Sequence, residues 1–255
     1  MKTINEYLNG NTYPGRGVLI GKSADNAHYV AAYFIMGRSE NSRNRIFEPT
    51  EDGIRTRAFD EKKLTDPSLI IYSPVRKVNG CTVVTNGDQT DTVACEIAEG
   101  GSFESALRKR SFEPDAPNFT PRISGILYPE TGEYTLSILK AETPDGARCR
   151  RNFYNYEPEA GTAHLIHTYE HDGSPLPSFC GEPVRIALNA PDAETFAEEI
   201  WAGLDENNRA LCALYRLRGR RGGHVHYQPA HPLSFVRLCQ KTEPVNVNLS
   251  YPDRL

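Results

Sequence analysis

Apolar and polar positions alternate in short blocks along this chain, and most blocks are too short for helices. After a polar N-terminal stretch, Arg16-Gly17-Val18-Leu19-Ile20-Gly21 reads as a strand, Lys22 to Asn26 as a polar turn, and His28 to Met36 as the partner strand. Nearly every position of the second run is apolar, the pattern of a strand covered on both faces, so more than one layer is expected to pack on this sheet. Gly37 to Arg45 reads as a polar loop, and Ile46 to Pro67 is charged without a clear period. A second hairpin runs from Leu69-Ile70-Ile71-Tyr72 through Arg76-Lys77-Val78 to Asn79-Gly80 and returns as Cys81-Thr82-Val83-Val84, because Asn-Gly takes the positive φ angles of a tight turn at little cost.

Two short helices follow. Thr90-Asp91-Thr92 offers N-cap oxygens to a helix over Val93 to Glu99 that Gly100-Gly101 stops. Ser102 can cap the next, with Glu104 in its first turn and Arg108-Lys109-Arg110 at its C-terminal dipole. Arg122 to Tyr128 and Glu133 to Lys140 form a third hairpin, and Ala163 to Tyr169 and Val184 to Asn189 read as further strands. Asp192 caps a helix in which Ala193, Phe196, Ile200 and Leu204 recur at helical spacing. Arg209 to Leu217 fits a strand or a helix, and the stretch from Arg218 is rich in Arg, Gly, His and Pro and is the least periodic. With no repeat period and no low-complexity linker, residues 1–255 are expected to form a single α+β domain of antiparallel sheets with helices outside.

Composition narrows the class. Charged residues are 24% and the AVILMFWYC set 38% of 255 residues, which excludes collagen, coiled coil and wholesale disorder. The balance of 29 basic and 33 acidic residues, net -4, provides no overall field for nucleic acid or an anionic membrane, and neither is expected as a partner. Tyr29 to Met36, the longest strongly apolar run, is far shorter than a bilayer span, and the N-terminus has no apolar h-region, so a cytoplasmic address is expected. Six cysteines without a C-x-x-C pair suggest reduced thiols, mostly packed as small apolar side chains, rather than a zinc or disulfide framework.

Three polar clusters carry candidate chemistry. Gly37 to Arg45 interleaves Arg38, Arg43 and Arg45 with Ser39 and Asn44, a set able to bind a phosphate bidentately and to hydrogen-bond a sugar, or to form a solvated turn. Thr85 to Thr92 carries hydrogen-bonding side chains at every position but Gly87, between a strand and a helix. It can offer amides to an anion and carboxylates to ribose hydroxyls, or simply make a turn and an N-cap. Glu113, with Thr120 and Arg122 nearby, can supply an acid/base pair or a surface ion pair, and the same choice holds for Tyr169-Glu170. His224, His226 and His231 lack further ligands at metal spacing, and Arg216, Arg218, Arg220 and Arg221 lack interleaved aromatics, so no metal is expected and the arginines read as an exposed or subunit-contact loop.

In order, the Gly-Arg-Ser to Asn-Arg run of Gly37 to Arg45, Asp66-Pro67 to Tyr72, Val83 to Thr92, Phe112-Glu113, Thr120-Pro121-Arg122-Ile123 and Thr168-Tyr169-Glu170 resemble the archaeal-type IMP cyclohydrolase family, from about Tyr13 to Leu217. The resemblance implies a four-layer α/β/β/α sandwich similar to the N-terminal-nucleophile hydrolases but without self-processing, in keeping with the absence of Cys, Ser or Thr directly after Met1. It implies closure of 5-formamidoimidazole-4-carboxamide ribonucleotide to inosine monophosphate with loss of water, without metal or organic cofactor.

In that reading Arg38 and Arg45, with Ser39 and Asn44, hold the phosphate or polarise the oxyanion, and Tyr72 and Glu113 are the proton-transfer candidates. Asn86, Gly87, Asp88, Thr90, Asp91 and Thr92 line ribose and base, while Thr120, Arg122, Tyr169 and Glu170 complete the pocket. The catalytic expectation centres on Arg45, Tyr72 and Glu113. The chain departs from the family in its first dozen residues, a charged insertion around Glu51 to Leu64, a longer Thr143 to Asn152 connection and the stretch after Leu217. The resemblance and the Arg-rich tail also suit a homo-oligomer. The competing expectations are a purine-nucleotide-binding protein without cyclisation activity and an amide hydrolase with an internally liberated nucleophile such as Thr12 or Cys81.

Overall fold

The polar N-terminal stretch holds two elements that its composition conceals. β1 (Lys2–Thr3) leads into α1 (Ile4–Leu8), where the Thr3 hydroxyl accepts from the Glu6 amide and the Glu6 carboxylate accepts from the Thr3 amide. Ile4 and Leu8, one helical turn apart, are fully buried. The computed structural model describes residues 1–64, 67, 70–218 and 235–237, with side chains from 211 onward outside the description.

The first hairpin forms as expected from β2 (Arg16–Lys22) and β3 (His28–Met36), and β3 is buried from Tyr29 to its end. The segment read as a loop contains one turn of helix, α2 (Glu40–Arg43), capped reciprocally by Ser39 and Ser42. The region without a clear period is another hairpin, β4 (Arg45–Thr50) and β5 (Gly53–Ala58). Its inward positions include Arg45 and Thr56, so the alternation is present but not written in apolar residues.

The strand expected over Leu69 to Tyr72 does not form. The Ile70 and Ile71 amides fold back on the Pro67 carbonyl, and β6 (Val75–Val78) begins three residues after Tyr72; Asp66 and Leu69 lie outside the described residues. Asn79 and Gly80, at φ 45° and 79°, make the turn into β7 (Cys81–Thr85). α3 (Gln89–Ala98) starts a turn earlier than expected, with Asp88 at its N-cap position, so Thr90, Asp91 and Thr92 are helical residues rather than caps. α4 (Phe103–Arg108) is capped by Ser102 as anticipated. β8 (Arg122–Leu127) and β9 (Tyr134–Ala141) form the third hairpin, and β10 (Cys149–Tyr156), a strand not anticipated, pairs with β9 and includes the last residues of the longer Thr143 to Asn152 connection. β11 (Thr162–His167), β12 (Val184–Ala187) and α5 (Ala193–Gly203) follow; Arg209 to Leu217 proves to be strand, within β13 (Arg209–Arg218), and β14 (Phe235–Arg237) pairs with it.

The chain is α+β, with two seven-stranded sheets. One runs β1-β12-β11-β2-β3-β13-β14 and the other β10-β9-β8-β7-β6-β5-β4; their pairings are antiparallel except β1 with β12. Residues from both sheets meet in one core, Val18, Ile20 and Ile35 against Val84, Ile123 and Leu136. The alternate residues Leu19, Ala32 and Phe34 face a second core with Ile4, Leu8, Phe196 and Ile200 from α1 and α5. Val83, Ile126 and Leu139 face a third with Val93, Phe103 and Leu107 from α3 and α4. No helix among the described residues is long and apolar enough to cross a membrane. Cys81 and Cys149 are half-buried in the third core, but Cys95 and Cys180 are exposed, so packing as small apolar residues holds for only two of these four free thiols.

Candidate active site

Charged residues open three strands: two point into the layer between the sheets, and the third, on β8, turns toward the start of α3. Arg16 begins β2 and shares a face with Val18 and Ile20, Arg45 begins β4, and Arg122 begins β8. Arg45 is fully buried, Arg122 nearly so, and the Arg16 side chain is 13% exposed. Glu113, 2% exposed in the connection before β8, is anchored by its own amide donating to the Thr120 carbonyl at 2.9 Å. Arg16 Nη1 lies 4.0 Å from its carboxylate.

Tyr72 reaches the same space from the segment before β6. Its amide donates to Thr56 Oγ1 at 2.9 Å, and its carbonyl accepts from the Thr56 amide at 2.8 Å, so β5 holds its backbone on both sides. The Tyr72 hydroxyl then meets that of Tyr33, from β3 in the other sheet, at 2.7 Å.

These groups act on one another electrostatically. Burial raises the Glu113 carboxyl above its ordinary range, and the attraction of Arg16 and Arg122 only partly offsets it. For Arg16, burial opposes the charge, but Glu113 and the hydroxyls of Tyr72, Tyr169 and Tyr33 outweigh it and hold the guanidinium charged. Burial lowers Arg45, with Tyr72 pulling the other way and Arg16 adding like-charge repulsion. Two cations, two phenols and a carboxyl thus share a poorly solvated space.

The run Asn86 to Thr92 divides into separate tasks. Asn86 is fully buried: its Nδ2 donates to the Pro121 carbonyl, and its Oδ1 accepts from the Ile123 amide and Gln89 Nε2, each at 2.9 Å. Thr90 Oγ1 lies 2.6 Å from Thr85 Oγ1. These bonds tie the end of β7 to the starts of α3 and β8. Arg122 Nη1 donates to Asp88 Oδ1 at 2.6 Å and Gln89 Oε1 at 2.7 Å, while Asp88 also accepts from Arg110. Burial raises the Asp88 carboxyl, but the two guanidiniums outweigh it and hold it low. Gly87 lets Arg122 pass, since a Cβ there would lie 2.7 Å from Arg122 Nη1. Asp91 is exposed and bound to Arg76, and Thr92 accepts from Arg110, so neither joins the central cluster.

The arginine-rich run divides likewise. Ser39 caps α2, and Asn44 exchanges two 2.8 Å hydrogen bonds with the Asp60 backbone. Arg45 Nε donates to the Ser42 carbonyl at 2.9 Å, so this loop aims Arg45 inward. Arg38 is exposed, paired with Asp172 at 2.9 Å and stacked over the Tyr13 ring. Tyr169 is buried, stacks on Tyr13 and shares a short hydrogen bond with Thr120 Oγ1, which itself donates to Asp115. The Glu170 carboxylate accepts from the Cys180 amide in the next loop.

Arg16 and Tyr33 escaped the reading of polar clusters because both sit within apolar strands. Strand alternation does mark them: Arg16 shares the inward face with Val18, and Tyr33 shares it with Ala31 and Ile35. Among the described residues no group of His, Cys, Asp and Glu could hold a metal. The histidines 224, 226 and 231 and the side chains of arginines 216, 218, 220 and 221 lie outside the described residues. A separate concavity of about 360 Å³, lined by Asn11, Thr12, Gly203, Asp205, Glu206 and Arg209, contains none of the clustered residues.

Comparison with known proteins bears on this constellation. The model of the IMP cyclohydrolase-like protein family matches residues 13–222. IMP cyclohydrolase of Methanosphaera stadtmanae is 29% identical over 195 residues, 75% of this chain and 86% of that protein. Those of Methanopyrus kandleri and Methanothrix thermoacetophila are 34% and 29% identical, over 47% and 63% of this chain and 60% and 76% of theirs. The matched span includes every member of the inter-sheet cluster, from Arg16 to Glu113, as well as Arg122, and the chain belongs to the IMP cyclohydrolase-like family.

Proposed function

We propose that this chain is an IMP cyclohydrolase, closing 5-formamidoimidazole-4-carboxamide ribonucleotide to inosine monophosphate with loss of water. The observation that carries the reading is the meeting of Arg16, Arg45, Tyr33, Tyr72 and Glu113 between two sheets in a member of that family. The carboxamide nitrogen is a feeble nucleophile, so catalysis must come from locking the formyl carbon beside it and from moving protons. Orientation can supply roughly 7 to 11 kcal/mol, and positioned proton transfer about 10²- to 10⁴-fold. A poorly solvated site with a carboxyl raised above its ordinary range by burial serves the second need.

In this reading Arg45 and Arg16 stabilise charge developing on the formyl oxygen, and Tyr72 and Glu113 transfer the protons. Arg122, fixed by Asp88 and Gln89, faces the anionic ribonucleotide, with Arg38 at the exposed margin. Ser39, Asn44, Asn86 and Thr90 shape the loops that present these side chains. The three cores support a finer architecture, a four-layer α/β/β/α sandwich of the N-terminal-nucleophile hydrolase type, in one domain over residues 1–255 with its core at 13–217. The same reading carries a cytoplasmic site of action and a homo-oligomer, the latter measurable by light scattering.

Absorbance-monitored cyclisation of the formylated ribonucleotide, beside calorimetric titration with inosine monophosphate, tests the proposal. Turnover is expected; binding without turnover would make the chain a nucleotide-binding relative. The self-processing hydrolase is disfavoured because Cys81 packs in the outer core of α3 and α4, where burial raises its thiol. Intact mass equal to the 28.5 kDa chain is expected.

A further inference from the structure

We propose that Tyr33 is a positioning residue for the ring closure, its hydroxyl donating a hydrogen bond to the Tyr72 oxygen and thereby directing the Tyr72 proton toward the substrate. The inference rests on the cyclohydrolase reading and assigns to Tyr33 a role that the polar clusters did not suggest.

Tyr33 is 0% exposed and its hydroxyl has one hydrogen-bond partner among the described residues, Tyr72 Oη at 2.7 Å. Each phenol carries one proton. If Tyr72 donated, the Tyr33 proton would be stranded in a dry interior with no acceptor, an arrangement that native proteins avoid. With Tyr33 as the donor, the Tyr72 proton is the one left free to meet an acceptor from outside the pair, and Tyr72, 6% exposed against 0% for Tyr33, is the less buried of the two. Burial, reinforced by Tyr72, raises the Tyr33 phenol well above its ordinary value, so Tyr33 keeps its proton throughout.

Two cations act on the Tyr72 oxygen. Arg16 from β2 and Arg45 from β4 both interact with it, and the Tyr33 bond gives the phenolate a third stabilising contact. The protons then balance. As the carboxamide nitrogen attacks the formyl carbon, Glu113 takes one proton from that nitrogen and Tyr72 gives one to the formyl oxygen, yielding a carbinolamine, neutral Glu113 and Tyr72 phenolate. The carbinolamine hydroxyl departs as water with the Glu113 proton, while the former formamide N–H returns a proton to Tyr72 as the ring C=N bond forms. Both side chains end as they began, and no co-reactant is needed.

The test compares Tyr33→Phe, Tyr72→Phe and the double variant with wild type in steady-state cyclisation, with inosine monophosphate titration and melting curves in parallel and assays run well below the lowest melting temperature. Tyr33→Phe is expected to lower kcat by about 10-fold or more while KM and nucleotide binding stay within about 2-fold. In the Tyr72→Phe background the same change should cost less than about 2-fold, because a residue acting through Tyr72 has nothing left to act on. Wild-type kcat in folded Tyr33→Phe overturns the proposal, and so does a loss that reappears in full in the Tyr72→Phe background, the behaviour of a merely structural contact. Wild-type protein that binds the nucleotide without turning over the substrate overturns the cyclohydrolase reading, and the positioning role with it.

Discussion

The hydroxyls of Tyr33 and Tyr72 meet at 2.7 Å, one carried by β3 and the other by the segment leading into β6 of the opposite sheet. Removing the Tyr72 hydroxyl alters the reacting end of this pair while leaving ring volume in place. Tyr72→Phe should therefore fold, bind inosine monophosphate within a few-fold of wild type, and lose about 10²-fold or more in kcat. Steady-state kinetics beside calorimetric binding checks the split; equal losses in binding and turnover would place Tyr72 in substrate binding instead.

Glu113 should leave a pH signature in both stability and rate. Its folded-state carboxyl is raised above the ordinary 4.5 by burial, with Arg16 and Arg122 only partly offsetting this. A raised value contributes stability that is fully present below the unfolded value and is lost as pH rises through the folded one. Chemical denaturation across this window should show that decline in wild type and a flatter course in Glu113→Gln. The rate should rise with pH through the same raised value as the carboxylate forms, and Glu113→Gln should lower kcat by at least about 10²-fold.

His167 predicts sensitivity to acid of the opposite sign. Its Nδ1 donates to the Tyr169 carbonyl and its Nε2 accepts from the Tyr7 hydroxyl, both at 2.8 Å, so the buried ring is neutral. Burial depresses it from 6.5 to about 4, with the Tyr169 bond acting weakly against this. The stability is present above pH 6.5 and is lost as pH falls through about 4, by roughly 3 kcal/mol in total. Urea titrations at pH 7 and pH 4 should show that loss in wild type and a smaller one in His167→Gln.

Two glycines separate fold from site. A Cβ at Gly53 would lie 2.0 Å from the Val75 carbonyl oxygen, inside the β5–β6 ladder, where backbone must move. Gly53→Ala should cost about 1 to 3 kcal/mol, read from a denaturant midpoint. At Gly87 the colliding atoms are the tips of Arg122 and Gln89, which can swing away. Gly87→Ala should leave the midpoint nearly unchanged and lower kcat/KM by about 10-fold or more through a displaced guanidinium.

The sequence alone determined the elements whose signals are local. Asn79-Gly80 marked its hairpin, Ser102 and Asp192 marked their helices, and the continuous apolar run of β3 announced covering on both faces, because turn geometry, capping and burial act over a few residues. Order-of-motif resemblance likewise identified the family that the comparison supports. The β4–β5 hairpin escaped because its core-facing positions include an arginine and a threonine, and β10 escaped because an edge strand with exposed Arg150 and Arg151 lacks a clear apolar face.

Tertiary structure alone decided how the polar clusters divide. Asn86 and Thr90 are committed to tying strands together, and Ser39 and Asn44 to aiming Arg45, while Arg16 and Tyr33 enter from apolar strands. Residues 16 and 113, or 33 and 72, become neighbours only when two sheets close over one core. That closure is driven by nondirectional burial of apolar surface, whereas the chemistry depends on directional contacts, so the partners of each polar group follow from the register of the packed sheets and not from nearness along the chain.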